Sequence, residues 1–290
     1  MRLHAWMPVS PCDTGCLDSA APRVGPLRML FRAVRMIAAL VGAVGRVLTS
    51  RGGERHRAVR IGCGRLLRAC GARVVVHGGE DLADAAHTLG RGALVVSNHI
   101  SWLDILAVNA LTPMRSLAKA DIEQWPLFGG VAARAGTIFV DRERLTTLPG
   151  TVAELTEALR AGALVNVCAE GTTWCGAASG PFVPAPFQAA IDGGVPVRPI
   201  ALRYRLAKGT ETTLPSFLGE EPLFTSVLRV LRLRGLVVDV YVCDEIAPGR
   251  ARDRRELARL AESSVRSALG HDTVASASRV LPLRVRTRVR

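Results

Sequence analysis

The sequence has few lysines, few aromatic residues and no long apolar run, and each shortage narrows the class of protein. Only Lys119 and Lys208 are lysines among its 38 basic residues, and aromatic residues make up 4% of the chain. A spanning helix needs roughly 20 uninterrupted apolar residues. The best run, 36–45, lies between Arg35 and Arg46. Residues 1–25 also lack the layout of a signal peptide. A simple transmembrane or exported protein is therefore disfavoured.

The excess of basic over acidic residues predicts an anionic partner. The chain carries 38 Lys and Arg against 25 Asp and Glu, a formal net charge of +13. Its arginines lie in amphipathic helices and in the tails. They do not alternate with aromatic residues, whereas a protein that stacks nucleic-acid bases is expected to combine basic and aromatic residues. We therefore expect an anionic membrane surface as partner and no nucleic acid. A basic membrane- or nucleic-acid-binding protein without catalysis is the alternative of another class.

The seven cysteines do not have the pattern of a secreted, disulfide-stabilised protein. They are odd in number, widely spaced and mostly within apolar runs, which is typical of a reducing compartment. Cys12 and Cys16 resemble half of a metal site, but no second close pair of Cys or His completes it. The sequence therefore predicts no metal.

Two basic amphipathic helices are predicted at 26–48 and 54–70, joined by a glycine pair. Four arginines of the first helix fall within an arc of about 60°: Arg28, Arg32, Arg35 and Arg46. Such a stripe suits a membrane interface, where arginine meets lipid headgroups, and also a core helix with one exposed face. We expect these four arginines to bind membrane.

Short β-branched runs alternate with helical patterns after Gly71, which is typical of an α/β domain. Strands are predicted at 73–77, 93–97, 137–141, 164–168, 197–203 and 237–243. Helices are predicted at 102–109, 127–135, 148–161, 187–192 and 253–269. The sequence thus predicts a mixed sheet flanked by helices, preceded by an amphipathic two-helix hairpin that docks on a membrane.

Composition divides the chain into four parts. Residues 1–25 form an irregular tail, 26–71 the helical hairpin, 72–250 the α/β domain, and 251–290 an Arg-rich helix and tail.

A candidate general base lies where the second predicted strand ends. His99 falls in the turn after the strand, and Asp104 falls in the first turn of a helix that Ser101 can cap. A carboxylate that fixes the tautomer of a histidine makes its other nitrogen a better base. The spacing alone is weak evidence, because a polar turn that caps a helix has the same pattern.

Four blocks in order resemble the glycerolipid acyltransferases, the family of 1-acylglycerol-3-phosphate acyltransferases. They are NHISWLD at 98–104, GTIFVDR at 136–142, EGTT at 170–173 and VPVRPI at 195–200. The resemblance implies transfer of an acyl group from a thioester, on coenzyme A or acyl carrier protein, to the hydroxyl of a lysolipid. It implies no cofactor, and a peripheral or monotopic location on the cytoplasmic face of the cell membrane.

The resemblance also implies residue roles. His99 is the base and Asp104 its orienting partner. Seven residues are implied to bind substrate: Asn98, Ser101, Arg142, Glu170, Gly171, Thr172 and Pro199. Lys119 and Arg144 are further candidates for binding an anionic headgroup. Trp102, Trp125 and Trp174 are close to these blocks and either border an acyl channel or the membrane, or fill a core or interface.

The third block departs from the common family pattern. Many members carry Arg after Glu-Gly-Thr and a Lys further on, but this chain has Thr173 and no lysine there. A phosphate monoester is usually held by several charge-assisted hydrogen bonds. The missing cations favour another lysolipid acceptor such as lyso-ornithine lipid, which is the alternative. We predict 1-acylglycerol-3-phosphate as the acceptor because it is the commonest acceptor in the family that the chain resembles.

Overall fold

A seven-stranded sheet lies between two layers of helices in the computed structural model, which describes residues 7–78, 92–126 and 128–270. The strands are β1 (Ala72–His77), β2 (Ala93–Ser97), β3 (Arg115–Lys119), β4 (Ile138–Val140), β5 (Leu164–Cys168), β6 (Val197–Leu206) and β7 (Leu236–Val242). The helices are α1 (Pro26–Thr49), α2 (Gly52–Cys70), α3 (Trp102–Leu111), α4 (Phe128–Arg134), α5 (Leu148–Arg160), α6 (Phe187–Gly193), α7 (Leu223–Arg232) and α8 (Arg254–Ala268).

The strands lie in the order β1-β7-β6-β2-β5-β3-β4. Every neighbouring pair is parallel except β6 and β7, which run antiparallel. The expected mixed α/β sheet with flanking helices is therefore confirmed. Because β6, β2, β5, β3 and β4 all point the same way, their carboxyl ends meet at one edge of the sheet.

Each face of the sheet has its own apolar core. Leu94 and Val96 of β2 pack against α5, α6 and α8, while Val95 packs on the opposite face against α2, α3 and α7. A central parallel strand is covered on both faces, which explains its unbroken apolar run. The C-terminal helix α8 belongs to this core, because it buries Leu257 and Val265.

The N-terminal helices α1 and α2 pack together beside the second core. They meet closely where Gly62 faces Ala43, since a Cβ at Gly62 would come within 2.8 Å of the Ala43 Cβ. The turn between them differs slightly from prediction: Ser50 and Arg51 are extended, and α2 begins at Gly52. Among the described residues, no helix combines the length and apolar character needed to cross a bilayer.

The segment before α1 is irregular but fixed to the domain. Met7 and Cys12 are buried. The Asp18 carboxylate accepts hydrogen bonds from the Thr212 hydroxyl at 2.7 Å and the Thr213 N–H at 2.9 Å. The described part of the predicted N-terminal tail is therefore held on the α/β domain.

Two elements were not predicted, β3 and α7. The β3 sequence, RSLAK, has polar ends and only partly buried residues, so it lacks the apolar run of a central strand. Strand β6 also runs on to Leu206. The predicted C-terminal tail from residue 271 onward lies outside the described residues.

Candidate active site

Four charged or titratable side chains lie at the carboxyl edge of the sheet. His99 follows β2, Glu170 follows β5, Lys119 ends β3 and Arg142 follows β4. These strands are neighbours in the order β2-β5-β3-β4. Parallel sheets commonly place their functional groups at this edge. The structure therefore brings together residues from the first three sequence blocks.

His99 and Asp104 form a direct hydrogen bond. The Nδ1 atom of His99 lies 2.9 Å from Oδ2 of Asp104. The same oxygen accepts the backbone N–H groups of Ile100 at 2.7 Å and Ser101 at 2.8 Å. Because Nδ1 donates to the carboxylate, Nε2 is left to accept a proton. The His99 side chain is 21% exposed.

The local sequence explains how residues five apart can pair. Asn98, His99 and Ile100 form a non-helical turn after β2, and α3 begins only at Trp102. Ser101 caps α3 by accepting the Leu103 N–H, while Asp104 reaches back to the Ser101 N–H in a capping box. The carboxylate that caps the helix thus also orients the histidine.

Tyr204 is part of this site, and the sequence analysis missed it. Its hydroxyl lies 2.5 Å from Oδ1 of Asp104, the oxygen that His99 does not use. Burial and then the charge of Asp104 raise the pKa of Tyr204 well above its usual value, so the phenol remains a donor. The only sequence signal was its rarity, since the chain has two tyrosines.

The pKa of His99 is raised well above its ordinary value. Burial lowers this pKa, but Cys168 at the end of β5 and the Asp104 carboxylate together raise it by more. Cys168 also raises the pKa of Arg142, although burial lowers the net value. Cys168 had no predicted role, and its influence on the pKa of His99 could not be inferred from the sequence.

Glu170 supports His99 and does not present its carboxylate to a substrate. Its side chain is 2% exposed. One oxygen accepts the His99 N–H at 2.6 Å, and the other accepts the Gly180 N–H at 2.8 Å. Burial raises the pKa of Glu170 to about 7, although both hydrogen bonds act to lower it. The substrate-binding role predicted for Glu170 is corrected to a positioning role.

Asn98 and Ser101 also serve the fold. The Asn98 amide donates to the Leu202 carbonyl at 2.9 Å and accepts the Leu202 N–H at 2.8 Å, which ties the turn to β6. Ser101 is fully buried as the cap of α3. Both side chains are occupied by backbone groups, and the substrate-binding role that the resemblance implies for them stays a prediction.

Pro199, the substrate-binding candidate of the fourth block, is also buried. It is buried in β6, an interior strand, where it pairs with Val96. It lies below the level of Ser97 at the sheet edge, because Ser97 pairs with the next residue, Ile200. Pro199 thus shapes the strand beneath the site and offers no accessible surface to an acyl donor.

Arg142 follows β4 but reaches the loop after β5. Its Nη1 donates to the carbonyl of Gly171, in the loop after β5. Because β5 is the neighbour of β2, this bond holds the guanidinium on the His99 side of the edge. Gly171 has a φ of +70°, a conformation that favours glycine, and Thr172 beside it is partly exposed.

The other candidate side chains are engaged nearby. Lys119 forms an ion pair with Asp121, and Arg144 pairs with Asp141 at 2.6 Å. The Thr173 hydroxyl donates to the Phe217 carbonyl, so it holds the loop.

The tryptophans have structural contacts. The Trp102 indole donates to Ser226 at 3.2 Å, which links α3 to α7, and Trp125 contacts Phe128 edge-on at the surface. Trp174 packs against a small buried cluster that includes Cys12 and Cys175.

The predicted arginine stripe on α1 is divided by the fold. Arg32 is 7% exposed, and its Nη1 donates to the carbonyls of Leu231 at 2.9 Å and Leu233 at 2.6 Å. Arg32 therefore holds the end of α7 and does not face a membrane, so that prediction is wrong for this residue. Three arginines remain exposed: Arg28, Arg35 and Arg46.

Comparison with known proteins shows the family of the chain. A sequence profile of the Acyltransferase family matches residues 73–203. A 1-acyl-sn-glycerol-3-phosphate acyltransferase from Neisseria gonorrhoeae is 34% identical over 203 residues, covering 70% of this chain and 79% of the relative. A lyso-ornithine lipid O-acyltransferase from Pseudomonas aeruginosa is 36% identical over 180 residues, covering 61% of this chain and 67% of the relative.

The fold has a solved counterpart. The crystal structure of a 1-acyl-sn-glycerophosphate acyltransferase from Thermotoga maritima superimposes with a TM-score of 0.64 at 18% identity, covering 84% of this chain and 94% of the other. The sequence similarity to the Neisseria relative over most of its length establishes the family. The chain belongs to the glycerolipid acyltransferases and is an acyltransferase.

Proposed function

We propose that the chain transfers a fatty acyl group from an acyl thioester to the free hydroxyl of 1-acylglycerol-3-phosphate, giving phosphatidate and a free thiol. The single observation that carries the proposal is the 2.9 Å His99–Asp104 hydrogen bond at the carboxyl edge, with Nε2 left to accept a proton. The donor is acyl-coenzyme A or acyl carrier protein. A thioester is already an activated acyl donor, so the proposed transfer needs no cofactor.

The proposed reaction has two proton transfers. Nε2 of His99 takes the proton of the acceptor hydroxyl as its oxygen attacks the thioester carbon. When the tetrahedral intermediate collapses, the C–S bond breaks and the leaving sulfur takes the proton back from the imidazolium. Asp104 keeps Nδ1 protonated throughout and stabilises the positive ring, while Tyr204 and two backbone N–H groups hold the carboxylate in place.

Arg142 supports a phosphate-bearing acceptor. The Gly171 carbonyl holds its guanidinium one strand from the base. Arginine suits phosphate because its planar fork donates two parallel hydrogen bonds. Lys119 ends the intervening strand β3, where it is paired with Asp121.

A different lysolipid acceptor is the second candidate. Thr173 occupies the position where many family members carry arginine, and its hydroxyl is bonded to Phe217. The chain is about as similar to the lyso-ornithine lipid O-acyltransferase from Pseudomonas aeruginosa, at 36% identity, as to its phosphate-acceptor relatives.

We also propose that α1 lies in the membrane interface on the cytoplasmic side, as a peripheral or monotopic anchor. One face of α1 is exposed and apolar, with Leu27 83% and Phe31 59% exposed. The same face carries Leu30, Val34, Ile37, Val41 and Leu48. Phe224 at the start of the neighbouring helix α7 is 69% exposed, and the exposed arginines flank the α1 face. Such a stripe suits the boundary between headgroups and acyl chains.

The test measures thiol release by the vesicle-reconstituted protein. Acyl-coenzyme A and acyl carrier protein are supplied as parallel donors, and lysophosphatidate, lyso-ornithine lipid and other lysophospholipids as parallel acceptors. His99→Ala should abolish acceptor-dependent release. His77→Ala is the matched control, because His77 also pairs with a buried aspartate, Asp239 at 2.8 Å, but lies outside this site. Appreciable turnover by His99→Ala would contradict the proposed base.

Arg142→Ala separates the acceptors. If phosphate binds at Arg142, the variant should raise KM for lysophosphatidate more than KM for an acceptor without a phosphate monoester. Thiol release only with lyso-ornithine lipid would show that lyso-ornithine lipid, and not 1-acylglycerol-3-phosphate, is the acceptor.

A further inference from the structure

Three cysteine side chains converge beside the catalytic loop, outside the site described above. Cys12 and Cys16 come from the segment before α1, and Cys175 comes from the loop after β5. Their three Sγ atoms all lie within 4.8 Å of one another, with Cys12 and Cys175 buried and Cys16 partly buried. We propose that these three thiols bind one Zn²⁺ ion as thiolate ligands.

The spacing of the sulfur atoms fits such a site. A Zn–S bond of about 2.3 Å in tetrahedral geometry separates two ligand sulfurs by about 3.8 Å. The observed upper limit of 4.8 Å needs a contraction that side-chain rotation can supply. A disulfide would use only two of the three sulfurs, whereas a metal ion gives all three a role.

The backbone holds both arms of the cluster. The Asp13 side chain accepts the Gly15 N–H at 2.8 Å, and the Cys16 N–H donates to the Asp13 carbonyl at 3.0 Å. This turn brings Cys16 back beside Cys12, with three intervening residues, a spacing found in structural zinc sites. The Cys175 carbonyl accepts the Ser216 hydroxyl at 2.9 Å. Ligands fixed in this way lose little further freedom when a metal binds.

The surroundings of the three thiols are apolar. They favour the protonated, neutral thiols as long as no metal is bound. Leu218 is buried against the thiols, and Leu17 and Trp174 pack around them. Burial and then the Cys12 thiol raise the pKa of Cys175 to about 11.

The position of the cluster gives the ion a structural role. Among the described residues, no fourth His, Cys, Asp or Glu joins the group, so water or an added ligand would complete the coordination. Trp174, next to Cys175, donates its backbone N–H to the His99 carbonyl at 2.8 Å. A Cβ at Gly171 would come within 2.6 Å of the Pro8 side chain. The ion would thus fasten the N-terminal segment onto the loop that carries Glu170.

The test is the metal content of the untagged full-length protein. The protein is purified under reducing conditions, loaded with Zn²⁺, passed through gel filtration and analysed by elemental mass spectrometry. We expect one zinc ion per chain, lost in Cys12→Ser, Cys16→Ser and Cys175→Ser. Cys243→Ser is the matched control and should keep the ion, because Cys243 lies at the end of β7, where its thiol approaches the Ser264 carbonyl at 3.7 Å.

Substitution with Co²⁺ gives a second readout on the wild-type chain, in case a variant fails to fold. Thiolate ligation should produce a sulfur-to-cobalt charge-transfer band and the intense visible bands of tetrahedral cobalt. A chelator should remove these bands and make three more thiols reactive. Three results would each overturn the proposal: no retained metal, loss of metal in Cys243→Ser as well, or an intact mass that reveals a disulfide among the three cysteines.

Discussion

Tyr204 and His99 hold opposite oxygens of the Asp104 carboxylate, Tyr204 at 2.5 Å and His99 at 2.9 Å. The phenol draws negative charge toward Oδ1 and away from the oxygen that faces the imidazole. We therefore expect Tyr204 to moderate how strongly Asp104 favours the protonated ring of His99, the proposed base.

Tyr204→Phe should raise the pKa of His99 further, because Asp104 loses the hydrogen bond that competes with the imidazole. The rise of kcat/KM with pH should then move to higher pH. One buried carboxylate oxygen also loses its donor, which should lower the free energy of unfolding by about 1–3 kcal/mol. A pH–rate profile and urea unfolding measure both effects. Tyr241→Phe is the control, and an unshifted profile in Tyr204→Phe would refute the tuning role.

Cys168→Ala should have the opposite effect on the pH profile. Cys168 raises the pKa of His99, and a base must be neutral to accept a proton. Removal of the thiol should therefore lower that pKa, so that activity reaches its plateau at lower pH. The same kcat/KM profile measures this, with Cys243→Ala as control. A profile that moves to higher pH would show that Cys168 does not favour the imidazolium.

Glu170 makes stability depend on pH. Its pKa in the fold is about 7 against an ordinary 4.5, so between these values the folded chain binds more protons than the unfolded chain. The contribution of Glu170 to the free energy of unfolding should be present below pH 4.5 and fall as the pH rises through 7. The loss is about 3 kcal/mol, at 1.36 kcal/mol for each pH unit.

Glu170→Gln removes this titration. The difference in unfolding free energy between wild type and variant should therefore move in favour of the variant as the pH rises from 4.5 to 7. Urea titrations across this range measure it, and other groups cancel because both proteins contain them. A difference that stays constant with pH would contradict the raised pKa. The variant should also lose activity, since a glutamine cannot accept both backbone N–H groups.

Arg32 and Arg35 should behave differently although both lie on the predicted stripe. Arg32→Ala leaves two buried carbonyls without their donor and should lower the free energy of unfolding by about 2–4 kcal/mol. Arg35 is exposed, so Arg35→Ala should change the free energy of unfolding by less than about 0.5 kcal/mol. Thermal unfolding compares the two.

In vesicle sedimentation, changes at Arg28 and Arg35 should have a larger effect on binding than a change at Arg32. Charge reversal at Arg28 and Arg35 should weaken binding to anionic vesicles, whereas folded Arg32→Ala should bind as the wild type does. Equal binding by all of these variants would argue against the proposed membrane face.

The sequence predicted the fold well because its local patterns are strong. An unbroken apolar run identified the central strand β2, which is covered on both faces. The spatial order of the strands could not be predicted, because β7 inserts between β1 and β6 through contacts distant in sequence.

The site was predictable only where partners are close in sequence. His99 and Asp104 share one turn, so their pairing could be inferred. The hydrogen-bond partners His99 of Glu170, Leu202 of Asn98 and Asp104 of Tyr204 are distant in sequence, so these bonds exist only after folding. Arg32 was misplaced for a related reason: helical periodicity groups residues on one face but does not reveal that α7 packs against part of it.

At the carboxyl edge, the residues that hold His99 and the cations Lys119 and Arg142 come from different parts of the chain. Glu170, Asp104 and Trp174 each form a hydrogen bond with His99. All three lie outside the span from β3 to Arg142. Lys119 and Arg142, the cations of the edge, both belong to that span. If Arg142 binds the headgroup as proposed, mutations within this span change headgroup preference while the contacts of His99 stay intact. An enzyme built in this way can acquire a new lipid acceptor without passing through an inactive ancestor.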